Sequence, residues 1–251
     1  MIVETPTVKK YKQSFVLFLF RMLDLIRMAP TVKLQEVLKK EVIFLYDIYC
    51  LLIDKQNYES EVNYLILWAS TLGVDIKLDV FKDMYSTQLN NMDLQDLVPQ
   101  SFLFSFTTIW DSIHLMSMVT DNIIYNRTNY TIDKVMDCVK NIKWFFYNIF
   151  IILFCPLCAR HYLTVNNFPY EVERIEVALY REKQGEPLQF VEELNCNQNN
   201  KNVLLKHHLL YKSMEFHNHV NNYRPIQHGN NELNNFQRMS WSIYKTLLGI
   251  L

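Results

Sequence analysis

Two cysteines, Cys155 and Cys158, form a C-x-x-C motif, and they are the residues best suited to chemistry. A residue before proline avoids the α region, and proline suits the first position of a helix, so Pro156 predicts that a helix begins there. Cys155 would then be the N-cap and Cys158 the third helical residue. Unpaired amides and the positive end of the helix dipole stabilise a thiolate at such a place. We therefore expect both cysteines to be catalytic, as a disulfide that can form and be reduced.

Histidine and tryptophan residues form two further motifs. Trp110 and His114 are four residues apart and share a helix face, although by themselves they are also typical of a hydrophobic core. A polar stripe on a later helix consists of His217, Val220, Asn221 and Arg224. This mixture is unusual for a packing face, but by itself it is equally typical of a solvated helix face. Neither motif assigns a function alone.

The C-x-x-C motif has competing interpretations. The two cysteines could be buried, inert thiols, or they could bind zinc together with His161, His217 and His219. Because His217 and His219 are two residues apart on a helix, they cannot easily face one metal, and we expect no metal site. A thioredoxin-like thiol exchanger is disfavoured, since its motif belongs to a βαβ unit. A helical interaction or structural protein with a non-catalytic or zinc-binding C-x-x-C stays open as the alternative.

Composition excludes several classes of function. The formal net charge is -1, so no large positive field is available to bind nucleic acid. The four glycines lie far apart, which excludes a glycine-rich phosphate loop. Residues 1–10 lack the apolar core of a signal peptide, and the apolar run at 145–154 is about half the length that spans a bilayer. We expect no nucleic-acid partner, no transmembrane segment and no secretion by a signal peptide.

Taken together and in this order, the motifs resemble those of the Erv/ALR family of FAD-dependent sulfhydryl oxidases. That family carries W-x-x-x-H, then C-x-x-C-x-x-H-[FY], then H-N-x-V-N, and all three patterns are present here. The surrounding sequence is similar to the baculoviral branch, as in segments 106–111, 146–148 and 216–219. The resemblance implies an FAD-dependent sulfhydryl oxidase, which forms disulfides in protein thiols and reduces oxygen to hydrogen peroxide.

The resemblance also implies an all-α fold, a four-helix bundle with a short fifth helix, preceded by a second, degenerate helical bundle. Residues 1–100 would form the degenerate bundle without a redox motif, and residues 101–251 the FAD-binding bundle. Helical periodicity agrees with this class of fold. The predicted helices cover about 11–28, 31–53, 59–72, 76–89, 102–125, 131–154, 156–165, 171–182, 203–223 and 235–248, with a polar linker at 90–100 and a long loop at 185–201.

Roles of single residues follow from the same resemblance. Cys155 would receive the substrate thiol, and Cys158 would be the cysteine next to the flavin. The implied FAD-binding residues are Thr107, Trp110, His114 and Cys158 at the flavin, His161 and Tyr162 in its support, His217, Asn218, Asn221 and Trp241 at the adenine and its ribose, and also Val220 and Arg224. Arg224 departs from the family's pattern, because it follows the V-N pair earlier than the family's basic residue does.

The implied partners are protein thiols, with viral proteins as the expected substrates, molecular oxygen, and a second copy of the chain in a homodimer. Cys50, Cys138 and Cys196 are isolated, so we expect them to be packing residues rather than a shuttle pair. Substrate thiols should then reach Cys155 directly. The implied location is the cytoplasm and nucleus of the infected host cell, and virions.

Overall fold

The structure is a computed structural model that describes residues 2–153, 155–165, 168–193, 201–228 and 239–250. Within these ranges the chain is predominantly helical, which confirms the expected all-α class. The helices are α1 (Pro6–Met28), α2 (Val32–Leu52), α3 (Glu59–Thr71), α4 (Leu78–Asn91), α5 (Phe106–Tyr125), α6 (Ile132–Asn148), α7 (Pro156–Val165), α8 (Phe168–Lys183), α9 (His208–His228) and α10 (Trp241–Leu248).

The chain divides into two compact units, Val8–Leu115 and a second unit formed by Met1–Thr7 with Met116–Leu251. The division falls within α5, so the Trp110 motif belongs to the first unit and the C-x-x-C motif to the second. The expected functional boundary after residue 100, and the arrangement as two helical bundles, stay predictions.

Aromatic side chains fill the core of the first unit. Phe20 on α1 packs against Phe81 and Tyr85 on α4, with ring centroids 5.3 and 5.1 Å apart. Tyr85 also shares a hydrogen bond with Tyr46 of α2, with 3.0 Å between the two hydroxyl oxygens. These contacts join α1, α2 and α4, and burial of such large rings contributes much of the stability of a helical core.

Aromatic packing also joins the helices of the second unit, where α8 contacts both α6 and α9. Phe168 at the start of α8 packs edge-on against Phe146 of α6, with 4.7 Å between ring centroids. The same ring stacks on Phe216 of α9 at 5.7 Å. Phe168 therefore couples the helix that precedes the C-x-x-C motif to the helix that carries the His217 motif.

A short parallel sheet interrupts the helices of the second unit. Strand β1 (Gln189–Val191) pairs with β2 (Val203–Leu205). The sequence predicted a loop over 185–201 and a helix from 203, so both predictions are wrong for these strands. The reason is tertiary, because pairing satisfies the backbone groups of two apolar segments that are distant in sequence, and local periodicity does not show such a partner.

Helix α9 begins at His208, five residues after the predicted start at 203. Asp121 on α5 determines this start, since its carboxylate accepts hydrogen bonds from the backbone amides of Leu209 and Leu210 at 3.0 and 2.8 Å. The first amides of a helix have no partner within the helix, and a carboxylate satisfies them well. Burial raises the pKa of Asp121 to about 7, although the two amide bonds act in the opposite direction.

Other helix boundaries also differ from the sequence prediction: α1 begins at Pro6 rather than 11, α5 at Phe106 rather than 102, and α9 ends at His228 rather than 223. Helix α6 ends at Asn148 rather than at 154, and a 3₁₀ turn at Ile149–Ile152 follows it. Helix α8 begins at Phe168, earlier than the predicted 171. The described part of the last helix begins at Trp241, while residues 235–238 of its predicted range lie outside the described residues.

Candidate active site

A disulfide joins Cys155 and Cys158 at the start of α7, with 5.1 Å between their Cα atoms. Cys155 directly precedes the helix and Cys158 is its third residue, as Pro156 predicts. The backbone amide of Cys158 donates a hydrogen bond to the sulfur of Cys155 at 3.2 Å. An amide and a helix N-terminus that face this sulfur stabilise a thiolate of Cys155, such as the one released when a mixed disulfide with substrate is resolved. Cys155 is therefore a good leaving group in thiol–disulfide exchange.

Tyr162 holds α7 in place. Its side chain is only 7% exposed, and its hydroxyl donates a hydrogen bond to the backbone carbonyl of Phe146. That carbonyl is among the last four of α6, which have no partner within the helix. The ring also packs edge-on against Phe216, with 5.7 Å between centroids. Tyr162 thus anchors the helix of the disulfide to α6 and α9, which fits the supporting role that the resemblance implies.

His161 is half-buried on α7, next to His219 of α9. Burial lowers the pKa of His161, and the electrostatic effect of the neighbouring His219 lowers it further. Both effects favour the neutral form of this imidazole. His219 was considered from the sequence only as a zinc ligand. No sequence signal pairs it with His161, because the electrostatic effect between them depends on how α7 and α9 pack.

Hydrogen bonds of Asn218 connect α9 to the segment before α10. Its side-chain amide donates to the carbonyl oxygen of Met239 at 2.8 Å and accepts from the amide nitrogen of the same residue at 3.0 Å. Two residues further on, Trp241 packs edge-on against Tyr211 of α9, with 5.2 Å between ring centroids. Asn218, expected at the adenine and ribose, is thus engaged with the backbone and positions Trp241.

The remaining residues of this motif are His217, Val220 and Asn221, which are all half-buried on α9. Residue Arg224 lies on the same helix, and its side chain is outside the described atoms. Imidazole and amide groups on a half-buried surface can bind a polar ligand such as ribose, and Trp241 supplies an aromatic ring at the neighbouring helix. These polar and aromatic side chains are of the kinds that bind an adenine nucleotide.

The first unit contains the other predicted residues, Thr107, Trp110 and His114, all on α5. Thr107 is exposed and Trp110 half-buried. His114 is 1% exposed, and it stacks on Trp110 at 6.2 Å between ring centroids. A second ring stacks on the same imidazole, that of Tyr11 from α1 at 5.8 Å. Tyr11 was missed from the sequence, because it lies in the half of the chain interpreted as a structural partner.

Asp111, three residues before His114, connects α5 to α1. Ser14 donates a hydrogen bond to its carboxylate at 2.7 Å, and the ammonium of Lys10 lies 3.3 Å away. Burial raises the pKa of Asp111, while the bonds to Ser14 and Lys10 reduce this rise. The N-terminal helix therefore fixes both the register of α5 and the ring stack around His114.

The other cysteines differ from the redox pair. Cys50 is buried and Cys138 half-buried, and burial raises the pKa of both thiols to about 12. Such thiols are almost fully protonated at neutral pH and therefore poor nucleophiles, as is typical of packing residues. Cys196 lies outside the described residues.

Neither a metal cluster nor a membrane span is found in the described part of the chain. No group of three or more His, Cys, Asp or Glu side chains is placed there to hold a metal ion. No helix among the same residues is long and apolar enough to cross a membrane.

A disulfide at the start of a helix, in an all-α fold, defines a helical thiol–disulfide redox protein. The chain belongs to the Baculovirus P33 family, whose model matches residues 5–250. It is 36% identical over 258 residues to the FAD-linked sulfhydryl oxidase of Autographa californica nuclear polyhedrosis virus, and the match covers 100% of both chains. It is 34% identical over 282 residues, again 100% of both chains, to the 33 kDa early protein of Orgyia pseudotsugata multicapsid polyhedrosis virus. The resemblance to the baculoviral branch is confirmed.

Proposed function

We infer that this chain is an FAD-dependent sulfhydryl oxidase, which forms disulfides in protein thiols and passes the electrons to molecular oxygen. The observation that carries this conclusion is the disulfide of Cys155 and Cys158 at the start of α7, with the amide of Cys158 donating to the sulfur of Cys155. The full-length likeness to an FAD-linked sulfhydryl oxidase supports it. A structural protein with an inert C-x-x-C is not favoured.

The cysteines exchange bonds with the substrate in two steps. A substrate thiolate attacks the sulfur of Cys155, the disulfide opens, and Cys158 is left as a thiolate. A second substrate thiol then attacks the substrate sulfur of the mixed disulfide, and Cys155 leaves as a thiolate that the amide of Cys158 stabilises. The substrate gains a disulfide and releases two protons, while the enzyme pair gains two electrons. Bound FAD supplies the two-electron acceptor that passes these electrons to oxygen.

The side chains at the predicted site are of the kinds that bind FAD. In the first unit, we propose that Trp110 lines the flavin with Thr107 near it, and that the buried His114 supports the indole ring through the stack between them. Aromatic faces suit a planar ring system.

In the second unit, we propose that three residues of α7, four residues of α9 and Trp241 of α10 contact FAD. Trp241 would cover the adenine, and Asn218 would act through the position of Trp241. The proposed contacts are Cys158, His161, Tyr162, His217, Val220, Asn221, Arg224 and Trp241.

We further propose a homodimer in which the exposed face of α8 is buried. Tyr170, Val177 and Tyr180 lie at helical spacing on α8 and are 57–60% exposed, and such large apolar side chains favour association. Sedimentation velocity should give a dimer that Val177→Arg shifts towards monomer. A wild-type monomer at micromolar concentration would contradict the proposal.

The family relationship also supports two further proposals. The substrates are viral proteins, and the protein is located in the cytoplasm and nucleus of infected cells and in virions.

Oxygen consumption with a reduced protein substrate tests the function. Cys155→Ser and Cys158→Ser should each abolish turnover, because the transferable disulfide needs both sulfurs. The matched control is Cys138→Ser, which removes a half-buried thiol of raised pKa and should retain turnover. Full turnover in either variant of the pair would show that this disulfide is not the catalytic one.

A further inference from the structure

Helix α7, which carries Cys158 of the redox disulfide, is anchored by one buried side chain among its described residues. It is ten residues long, and a helix of this length owes most of its stability to packing against the rest of the protein. Within the described range 156–164, Tyr162 alone is almost fully buried. Cys158 lies four residues before Tyr162, one helical turn away on the same face. The position of Cys158 therefore depends closely on how Tyr162 packs.

Tyr162 packs against residues of two other helices. Its hydroxyl donates to the backbone carbonyl of Phe146 on α6, and its ring meets Phe216 of α9 edge-on, with 75° between planes. Phe216 directly precedes His217, the first residue of the motif that we assign to FAD binding. The 3₁₀ turn at Ile149–Ile152 also packs against α7, but this turn continues α6. The contact of Tyr162 with Phe216 thus joins the helix of the disulfide to the helix of the FAD motif.

Phe168, at the start of α8, contacts both of these partners. Its ring is parallel to that of Phe216, with 3° between planes and 5.7 Å between centroids, and it meets Phe146 edge-on at 4.7 Å. We call the four side chains the ring cluster: Phe146, Tyr162, Phe168 and Phe216. All four are buried. Aromatic pairs prefer offset-stacked and edge-on geometries, so the planar ring of Phe168 restricts both neighbours in distance and in angle.

Electron transfer from a cysteine to a flavin needs such restriction. The reacting atoms must be in contact, and a displacement of about 1 Å caused by a distant substitution can lower a rate about a hundredfold. Groups on two different helices keep this precision only when the packing between the helices is rigid. The ring cluster provides rigid packing between α7 and α9, and Phe168 contacts the two residues on which Tyr162 rests.

We propose that Phe168 is a positioning residue of the oxidase. By fixing Phe146 and Phe216, it holds Tyr162, and with it α7, in the place from which the thiolate of Cys158 reaches the flavin. Phe168 lies outside the three sequence motifs, and it acts through the ring cluster rather than by contact with FAD or substrate. This inference rests on the proposed function, because it concerns the step between the disulfide and FAD.

The absorbance of a thiolate beside oxidised flavin tests this position. In Cys155→Ser, Cys158 has no disulfide partner, and its thiolate next to FAD should give a long-wavelength charge-transfer band. The band requires contact between sulfur and flavin, so its intensity reports their geometry rather than turnover. Addition of Phe168→Leu, which removes the ring, should abolish most of the band at saturating FAD. Phe168→Met keeps more of the volume without a ring and should lose the band too, so it carries the test if the leucine variant does not fold.

Ile175→Ala is the matched control. Ile175 is fully buried on the same helix, about 10 Å from Phe168 along the axis, and its replacement removes core packing without removing a ring. In the Cys155→Ser background this variant should keep the band. With the disulfide intact, Phe168→Leu should slow the bleaching of the flavin by a dithiol about tenfold relative to Ile175→Ala, as expected for a displacement below about 1 Å.

The FAD-free protein gives a second readout. Its disulfide should react with a dithiol at the same rate in the wild type and in Phe168→Leu, because the ring cluster sets the position of α7 relative to the flavin and not the reactivity of the disulfide. Labelling of the released thiols measures this rate. A rate lowered as much as flavin bleaching would show that Phe168 acts on the disulfide itself, and the positioning proposal would be wrong.

The outcomes separate the two proposals. If Cys155→Ser keeps its full band after Phe168→Leu is added, or if Ile175→Ala loses the band equally, Phe168 does not position the disulfide and the oxidase function stands. If Cys155→Ser binds FAD without any band, Cys158 is not beside the flavin and the positioning proposal is wrong. If the folded wild-type protein binds no FAD, the proposed function itself is wrong and the positioning proposal falls with it.

Discussion

The ring of Tyr11, from the first helix of the chain, stacks on the imidazole of His114, with 5.8 Å between ring centroids and 22° between planes. His114 belongs to the W-x-x-x-H motif, and Tyr11 lies about a hundred residues earlier in the sequence. Both side chains are almost fully buried. The N-terminal half, which has no redox motif, therefore supplies part of the surroundings of a motif that we assign to FAD binding.

Removal of this ring should weaken FAD binding. Tyr11→Ala leaves His114 without one of its two stacking partners, so we expect the affinity of the apoprotein for FAD to fall by about tenfold. Tyr11→Phe keeps the ring and should bind FAD as the wild type does. Fluorescence titration of the apoprotein with FAD gives both values. Wild-type affinity in a folded Tyr11→Ala protein would show that α1 does not support the site.

Removal of the Asn218 side-chain amide should destabilise the packing of α10 on α9. Two hydrogen bonds to Met239 disappear in Asn218→Ala, and at about 1 kcal/mol each the free energy of unfolding should fall by about 2 kcal/mol. Because the segment before Trp241 then lacks these hydrogen bonds, Trp241 should become more exposed to water, and its fluorescence should shift to longer wavelength. Ser240→Ala removes an exposed hydroxyl nearby and serves as the control. An unchanged unfolding free energy in Asn218→Ala would contradict the role we give this amide.

Glu41 on α2 should make stability depend on pH. It is 4% exposed, and burial raises its pKa to about 7, although Lys40 acts in the opposite direction. Above the ordinary glutamate pKa of about 4.3 the unfolded chain loses this proton, while the folded chain keeps it up to about pH 7. Stability is therefore lost as pH rises through this window, by up to about 3 kcal/mol.

The substitution Glu41→Gln should remove this loss. The free energy of unfolding of the variant, minus that of the wild type, should grow between pH values of about 4.5 and 7 and stay constant above. Glu36→Gln, on an exposed position of the same helix, should show no such trend. Chemical denaturation at several pH values measures the difference. A flat difference for Glu41→Gln would mean that this carboxylate is ionised in the folded protein.

Local rules predicted the redox centre well, because its geometry depends on neighbours in sequence. Pro156 alone was enough to place Cys155 before the helix and Cys158 at its third residue. Thr31 and Thr131 cap their helices in an equally local way, because their side-chain hydroxyls accept hydrogen bonds from the backbone amides three residues later, at 3.2 and 3.3 Å. The all-α class followed from periodicity in the same way.

Contacts between residues that are distant in sequence could not be predicted. The strand Val203–Leu205 has an apolar pattern that continues into a helix, and only its pairing with Gln189–Val191 makes it a strand. Tyr11 and His219 carry no motif of their own, and their positions beside His114 and His161 depend on how helices pack. The assignment of Asn218 to ligand binding stays a prediction, and the hydrogen bonds between its amide and the backbone of Met239 were not expected from the sequence.

The visible spectrum of the purified protein, recorded without oxygen before and after addition of a dithiol, tests the oxidase function most directly. The wild-type protein should carry stoichiometric FAD, and its flavin absorbance should bleach rapidly when the dithiol is added. Cys155→Ser and Cys158→Ser should keep the bound FAD and bleach far more slowly, and Cys138→Ser should behave as the wild type does. A folded wild-type protein that binds no FAD, or equally rapid bleaching without the pair of Cys155 and Cys158, would contradict the conclusion that this disulfide carries electrons from substrate thiols to FAD.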